Sequence, residues 1–179
     1  MAENKSAKRR NLIGVRKLKF PPISYDISSV NNLITPVKIR VLKRFQILQT
    51  SMLPYLQIGD RILALKRTKP PERGDVVFFK VIENKYLWIK RVIGLPGETI
   101  NIIDGKVRIN GQNIQDYAND PAYLASFGPV QIPSAHYFLL GDHRSVVIDS
   151  RKIGPIPLED IYYKAFMIYR PLCRIKFLP

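Results

Sequence analysis

The sequence predicts an all-β assembly of short strands, a sheet or barrel, and three observations lead to it. Runs rich in β-branched and aromatic residues recur from about residue 40 onward, Gly, Pro, Asn and Asp break them at short spacings, and helix is all but excluded after residue 50. At 179 residues, 46% hydrophobic and 24% charged, the chain suits one globular domain with an arm and is too apolar to be disordered throughout. No repeat of about 20 to 50 residues suggests a propeller or solenoid.

Taken in order, Arg61 to Lys66 (RILALK), Val76 to Ile82 (VVFFKVI) and Leu87 to Ile93 (LWIKRVI) read as strands, separated by Pro70-Pro71 and Gly74. Thr99 to Ile103 (TINII) and Lys106 to Asn110 (KVRIN) follow the Pro96-Gly97 turn. Asp104-Gly105 and Asn110-Gly111 stand where two-residue hairpin turns need positive φ, so residues 99 to 114 read as a small meander. Gln115 to Pro129 is the longest segment without a strand pattern. HYFLL, beginning at His136, reads as a strand between Pro133 and Gly141, and Tyr162 to Tyr169 (YYKAFMIY) as the last one.

Charge divides the chain differently. Residues 1–47 carry 11 basic and two acidic side chains, net +9, and residues 48–179 carry the remaining +6 of the total +15. The start MAENKSAKRR lacks the apolar core and cleavage site of a secretory signal, so 1–47 is expected to be a basic arm, either a solvated tail or a contact for anionic lipid head groups. No stretch reaches the roughly 18 apolar residues of a membrane-spanning helix. One cysteine, Cys173, and two histidines, His136 and His143, argue against a disulfide framework and a metal centre, so no cofactor is expected.

A nucleophile needs a base, and the histidines are poor candidates. His136 lies in a strand pattern, and His143, in a loop after Gly141-Asp142, has no Ser-His-Asp spacing around it. Lysine is the other base open to serine enzymes, provided burial strips its ammonium of water. Alternation along residues 86 to 93 places Lys90 on one face with Tyr86, Trp88 and Val92, an apolar setting able to depress its pKa, although the pattern also allows an edge lysine that snorkels to solvent. Ser51, in Gln49-Thr50-Ser51-Met52-Leu53-Pro54, is the candidate nucleophile. A serine before a proline-restricted turn presents its hydroxyl beside its own backbone N–H, half of an oxyanion hole.

In order along the chain stand SMLPYLQIGDRIL at 51–63, RGDVVFFK at 73–80, KRVIGLPGETI at 90–100, and HYFLLGDHR with IDSRKIGPIP within 136–157. That order, running from about Gln49 to Tyr169, resembles the membrane-bound type I signal peptidases, Ser/Lys proteases that remove signal peptides from exported precursors, and most closely their cyanobacterial or plastid-like members. The resemblance implies coiled antiparallel β-sheets around an exposed, shallow apolar cleft, with residues 48–179 as the catalytic domain. It implies Ser51 as nucleophile and Lys90 as general base, Met52 lining the pocket for the substrate side chain before the cut, Asp149 and Arg151 as a pair supporting the sheet around the site, and Gly141 and Asp142 in a loop behind the lysine. Gln49 is expected at the oxyanion hole and Leu56 and Ile89 beside Met52 in the pocket. It further implies precursors ending in Ala-x-Ala and a plasma or thylakoid membrane location with the catalytic domain on the outer side, and the +9 arm points to an anionic membrane surface as partner. The sequence departs from the family pattern at Gln49, where serine or glycine is usual, and in the loop after Gly141. There His143, Ser145 and Val146 replace Asn, Asp and Asn, and Val147 replaces a serine that often hydrogen-bonds the lysine.

Two other readings compete. A cytosolic self-cleaving repressor shares a Ser-Met start and a later lysine, but no helix-turn-helix pattern or Ala-Gly cleavage site precedes Ser51, and the Pro-Gly-Glu turn after Lys90 fits the peptidases better. A basic β-module for nucleic acid would use the arm for phosphates and Phe78, Tyr86 or Trp88 for stacking. The globular part is only +6 and its aromatics stand apart from any Lys/Arg comb, so no nucleic acid is expected.

Overall fold

The computed structural model describes residues 16–17, 42–81, 86–118, 120, 123–146 and 148–179. In chain order the strands are β1 (Arg16–Lys17), β2 (Leu42–Gln46), β3 (Arg61–Lys66), β4 (Val76–Lys80), β5 (Leu87–Gly94), β6 (Thr99–Ile103), β7 (Lys106–Ile109), β8 (Gln112–Asn113), β9 (Phe127–Gln131), β10 (His136–Leu140), β11 (Ile156–Pro157), β12 (Ile161–Arg170) and β13 (Lys176–Phe177). One short helix, α1 (Ser150–Ile153), precedes β11.

The strands form two antiparallel sheets. The larger has the order β1-β2-β3-β12-β4-β5-β10-β11 with β13 added to β12, and the smaller has the order β8-β7-β6-β9. The meander turns as the sequence predicts, with Asp104 and Gly105 at φ 48° and 75° and Asn110 and Gly111 at φ 51° and 81°.

Strand β5 holds the core together. It lies between β4 and β10, and every residue from Trp88 to Gly94 is buried. Ile89 packs into a cluster with Phe45, Ile47, Met52, Leu56 and Phe78. Trp88 and Val92 join Val77, Phe79, Tyr137 and Leu139 in a second, while Ile93 joins Ile100, Ile102, Phe138 and Leu140 in a third that fastens the small sheet to the large one. Each such side chain, fully buried, contributes about 1.5–3 kcal/mol.

Three expectations need correction. Two strands of the large sheet fall inside the segment that charge assigned to the arm: β1 pairs with β2 through Arg16↔Gln46 and Lys17↔Phe45, β2 pairs with β3 in register Phe45↔Ile62, and Phe45 and Ile47 are buried. Net charge reports solvated side chains, and β2 carries Lys43 and Arg44 beside its buried Phe45. The segment 115–129 is not wholly without strand, because Phe127 begins β9, which pairs with β6 through Val130↔Ile100. Its Gly-Pro pair hides the pattern. One helical turn, α1, also forms where only strand or loop was expected, because the Asp149 carboxylate accepts from the Arg151 N–H as its N-cap. Most of the arm, Ile82 and Val147 lie outside the described residues.

Candidate active site

After β2 the chain enters a turn closed by Leu53 N–H donating to Thr50 O at 3.0 Å and Leu56 N–H to Met52 O at 2.8 Å. Met52 and Leu56 sink into the first core cluster, which pulls the turn down and leaves Ser51 only 3% exposed. The far end is tied to the Asp60 carboxylate, which accepts from Gln57 N–H at 2.8 Å and from two guanidinium nitrogens of Arg174 at 2.9 and 3.0 Å. Arg174 also donates to Tyr55 O at 3.2 Å, so the last strand region braces the turn that carries Ser51.

Lys90 faces this turn from β5. It is 2% exposed, and burial lowers its pKa from 10.5 to about 8, with the nearby Asp149 carboxylate opposing and the Arg151 guanidinium reinforcing that fall. Gly141 separates the two. A β-carbon there would lie 2.5 Å from Ser51 O and 3.5 Å from Lys90 Nζ, so only glycine lets the loop after β10 pass between them. Among the described residues Gly141 thus lies against the Ser51 backbone carbonyl on one side and the Lys90 amine on the other, and the Ser51 and Lys90 side chains make no direct hydrogen bond to each other.

The loop is fixed from behind. Asp149 accepts from Gly141 N–H at 3.2 Å and from Arg151 Nε and a terminal nitrogen at 2.8 and 2.7 Å, all buried or partly so. Arg144, fully buried, donates Nε to Gly141 O at 2.9 Å and a terminal nitrogen to Asp116 at 2.5 Å. Asp142 receives a two-pronged bond from Arg91, at 2.8 and 2.6 Å, with both side chains 1% exposed. Burial works against the Arg91 charge, but the bonded carboxylate more than offsets it and holds the guanidinium charged. His143 comes next, its N–H donating to Ser51 O at 3.2 Å and its ring Nδ1 lying 3.3 Å from Thr50 O.

A family model described as signal peptidase, peptidase S26, matches residues 27–170. The chain belongs to this family. Among its signal peptidase relatives, a probable signal peptidase I-2 of Synechocystis sp. is 37% identical over 140 residues, covering 72% of this chain and 63% of that protein. A signal peptidase I of Leptolyngbya laminosa is 37% identical over 137 residues, covering 70% and 67%. A probable chloroplastic thylakoidal processing peptidase 2 of Arabidopsis thaliana is 32% identical over 138 residues, covering 70% of this chain and 37% of that protein. The chain thus spans less than two thirds of the Synechocystis and Arabidopsis relatives.

Within this signal peptidase fold, the structure brings Ser51, Lys90 and Gly141 together and sets Asp149–Arg151 and Asp142 directly behind them. Met52, Leu56 and Ile89, expected to line a pocket, are 1%, 0% and 3% exposed and form the packed floor beneath Ser51. Gln49 is half-buried two residues before the turn. A cavity of about 300 Å³ lies elsewhere, lined by Lys106, Val107, Asn113, Asp116, Tyr123 and Arg144. Sequence reasoning missed Arg91, Arg144 and the two contacts of His143. For Arg91 the signal was its adjacency to Lys90 in a strand otherwise apolar. Among the described residues no group of three His, Cys, Asp or Glu side chains is placed to hold a metal ion.

Proposed function

We propose that this chain is a serine endopeptidase that removes N-terminal signal peptides from exported precursors, with Ser51 as nucleophile and Lys90 as general base. The observation that carries the reading is a lysine stripped of water, its pKa lowered to about 8, facing a buried serine across a glycine. A neutral Lys90 takes the proton of Ser51 Oγ as that oxygen attacks the scissile carbonyl. The Ser51 N–H and the Gln49 side-chain amide donate to the oxyanion, a role that needs no metal ligand from this chain. When the tetrahedral intermediate collapses, Lys90 returns the proton to the leaving amine, and water then attacks the acyl group on Ser51 with Lys90 again as base.

The turn with its Met52, Leu56 and Ile89 floor favours small side chains at the first and third positions before the cut, since a deeper side chain would have to displace packed core. Attachment to an anionic membrane surface, with the catalytic domain on the outer side, is the location we propose. Exposed Leu172, Ile175 and Phe177 stand beside Arg174 and Lys176 next to the Ser51 turn, and each basic residue near such a surface adds about 1 kcal/mol. No helix among the described residues is long and apolar enough to cross a membrane.

Cleavage of a precursor ending in Ala-x-Ala by the full chain, compared with Ser51→Ala, tests the reading. Product from the native chain and none from the variant is the expected result; equal cleavage by both sinks it. A precursor with Leu in place of the last Ala should be cut poorly, and equal cutting would remove the small-residue floor from the account.

A further inference from the structure

We infer that His143 is a positioning residue that strengthens the oxyanion donor through the Thr50–Ser51 peptide group. The inference rests on the reading of Ser51 as nucleophile and extends it to a residue that takes no part in the Ser/Lys proton transfers.

The peptide linking Thr50 to Ser51 presents two groups. Its carbonyl is Thr50 O, and its N–H is the donor placed at the forming oxyanion. His143 Nδ1 lies 3.3 Å from Thr50 O, and because a carbonyl oxygen only accepts, the ring nitrogen must carry the hydrogen there. Leu53 N–H occupies the other acceptor direction of the same oxygen at 3.0 Å. A second donor on the carbonyl draws electron density along the conjugated amide toward oxygen, which makes the Ser51 N–H more positive and the bond it donates stronger. The same residue also holds the next carbonyl, since the His143 N–H donates to Ser51 O at 3.2 Å. One residue, 93 positions from Thr50, thus grips the backbone on both sides of the nucleophile.

The grip has a rigid base. Gly141 is held by Asp149 through its N–H and by Arg144 through its carbonyl, and Asp142 is locked to Arg91, so the two residues before His143 and the one after it are anchored in buried bonds. The imidazole itself is half-buried, its Nδ1 edge turned to the turn.

Two measurements on the full chain test this. In cleavage of the Ala-x-Ala precursor, His143→Ala should lower kcat about tenfold with KM within twofold, well short of the 10²–10³ lost with a direct oxyanion donor, and His143→Asn, whose amide can donate to Thr50 O, should recover most of that loss. In the NMR spectrum the Ser51 amide proton should move upfield in His143→Ala and return toward its native position in His143→Asn. Unchanged kcat in the alanine variant, a loss confined to KM, or an asparagine variant as impaired as alanine overturns the inference. If the native chain cleaves no precursor, the proposed function fails while the amide resonance still decides the polarised peptide, and a Ser51 resonance indifferent to both substitutions ends it.

Discussion

Lys90 and Arg91 are neighbouring cations on one strand, buried almost equally, and the protein treats them in opposite ways. Arg91 is paired through two bonds to Asp142, donates a third to Gly74 O at 2.8 Å, and lies between the rings of Tyr55 and Tyr117, each 4.5 Å from its guanidinium carbon. Lys90 has no ion pair among the described residues; it has Trp88 and Val92 on its own face of β5 and a carboxylate, Asp149, whose oxygens are taken by Arg151 and the Gly141 N–H. A compensated charge keeps its proton and braces the structure. An uncompensated one gives its proton up near neutrality, which is a liability for stability and the property a general base needs.

The sharpest way to break the comparison is to remove the amine. Lys90→Met and Lys90→Arg should each lower cleavage by more than about 10³-fold, because neither side chain can accept a proton. Only the methionine variant should gain stability. The fall in Lys90 pKa from 10.5 to about 8 is equivalent to about 3 kcal/mol at neutral pH, which an apolar side chain of similar volume recovers. Denaturant titration would show this as a higher midpoint, and a lower midpoint in Lys90→Met would mean that the lysine is not held at a disadvantage.

Removing half of the other site should do the reverse. Arg91→Ala or Asp142→Ala leaves an unpaired buried charge and should destabilise by about 3–5 kcal/mol, whereas Arg91→Met with Asp142→Leu should recover much of that loss. A double variant no more stable than either single one would show that the pair contributes more than mutual compensation.

A third test uses pH. With Lys90 as the proposed general base the neutral amine is the working form, so cleavage should rise with pH up to about 8 and then level. Stability has a related dependence. Between about 8 and 10.5 the unfolded chain holds more protons at this lysine than the folded one, so the Lys90 contribution to stability improves as pH rises through that window and stays at its poorest below it. Lys90→Met should remove this slope.

The smallest effect is on the midpoint itself. The Asp149 charge raises the Lys90 pKa, so Asp149→Asn should move the rising limb of the cleavage profile to lower pH while weakening the Arg151 pair and the α1 cap. A shift to higher pH would show that the lost carboxylate is outweighed by water entering around the amine.

Much of the fold was legible. β3 and β6 begin and end where the residue pattern places them, and the two hairpin turns follow from Asp104-Gly105 and Asn110-Gly111, because strand alternation and positive φ are local properties. Alternation also put Lys90 on an apolar face, and the ordered motifs singled out Ser51. β9 and β1 escaped because their pairing is set by partners elsewhere in the chain, Ile100 for β9 and Gln46 and Phe45 for β1.

What the sequence determined by itself was therefore the class of fold and most strand positions, since each leaves a pattern within a dozen residues, whereas Ser51 and Lys90 were singled out only by motifs ordered from Gln49 to Tyr169. Tertiary structure alone decided which of two adjacent cations would be neutralised. Asp142 lies 51 residues from Arg91, and His143 lies 93 from Thr50. No local pattern records a partner at that separation. Whether a buried charge is compensated depends on which carboxylate the folded chain brings within about 3 Å, and that is fixed only when the loop after β10 closes over Ser51 and β5.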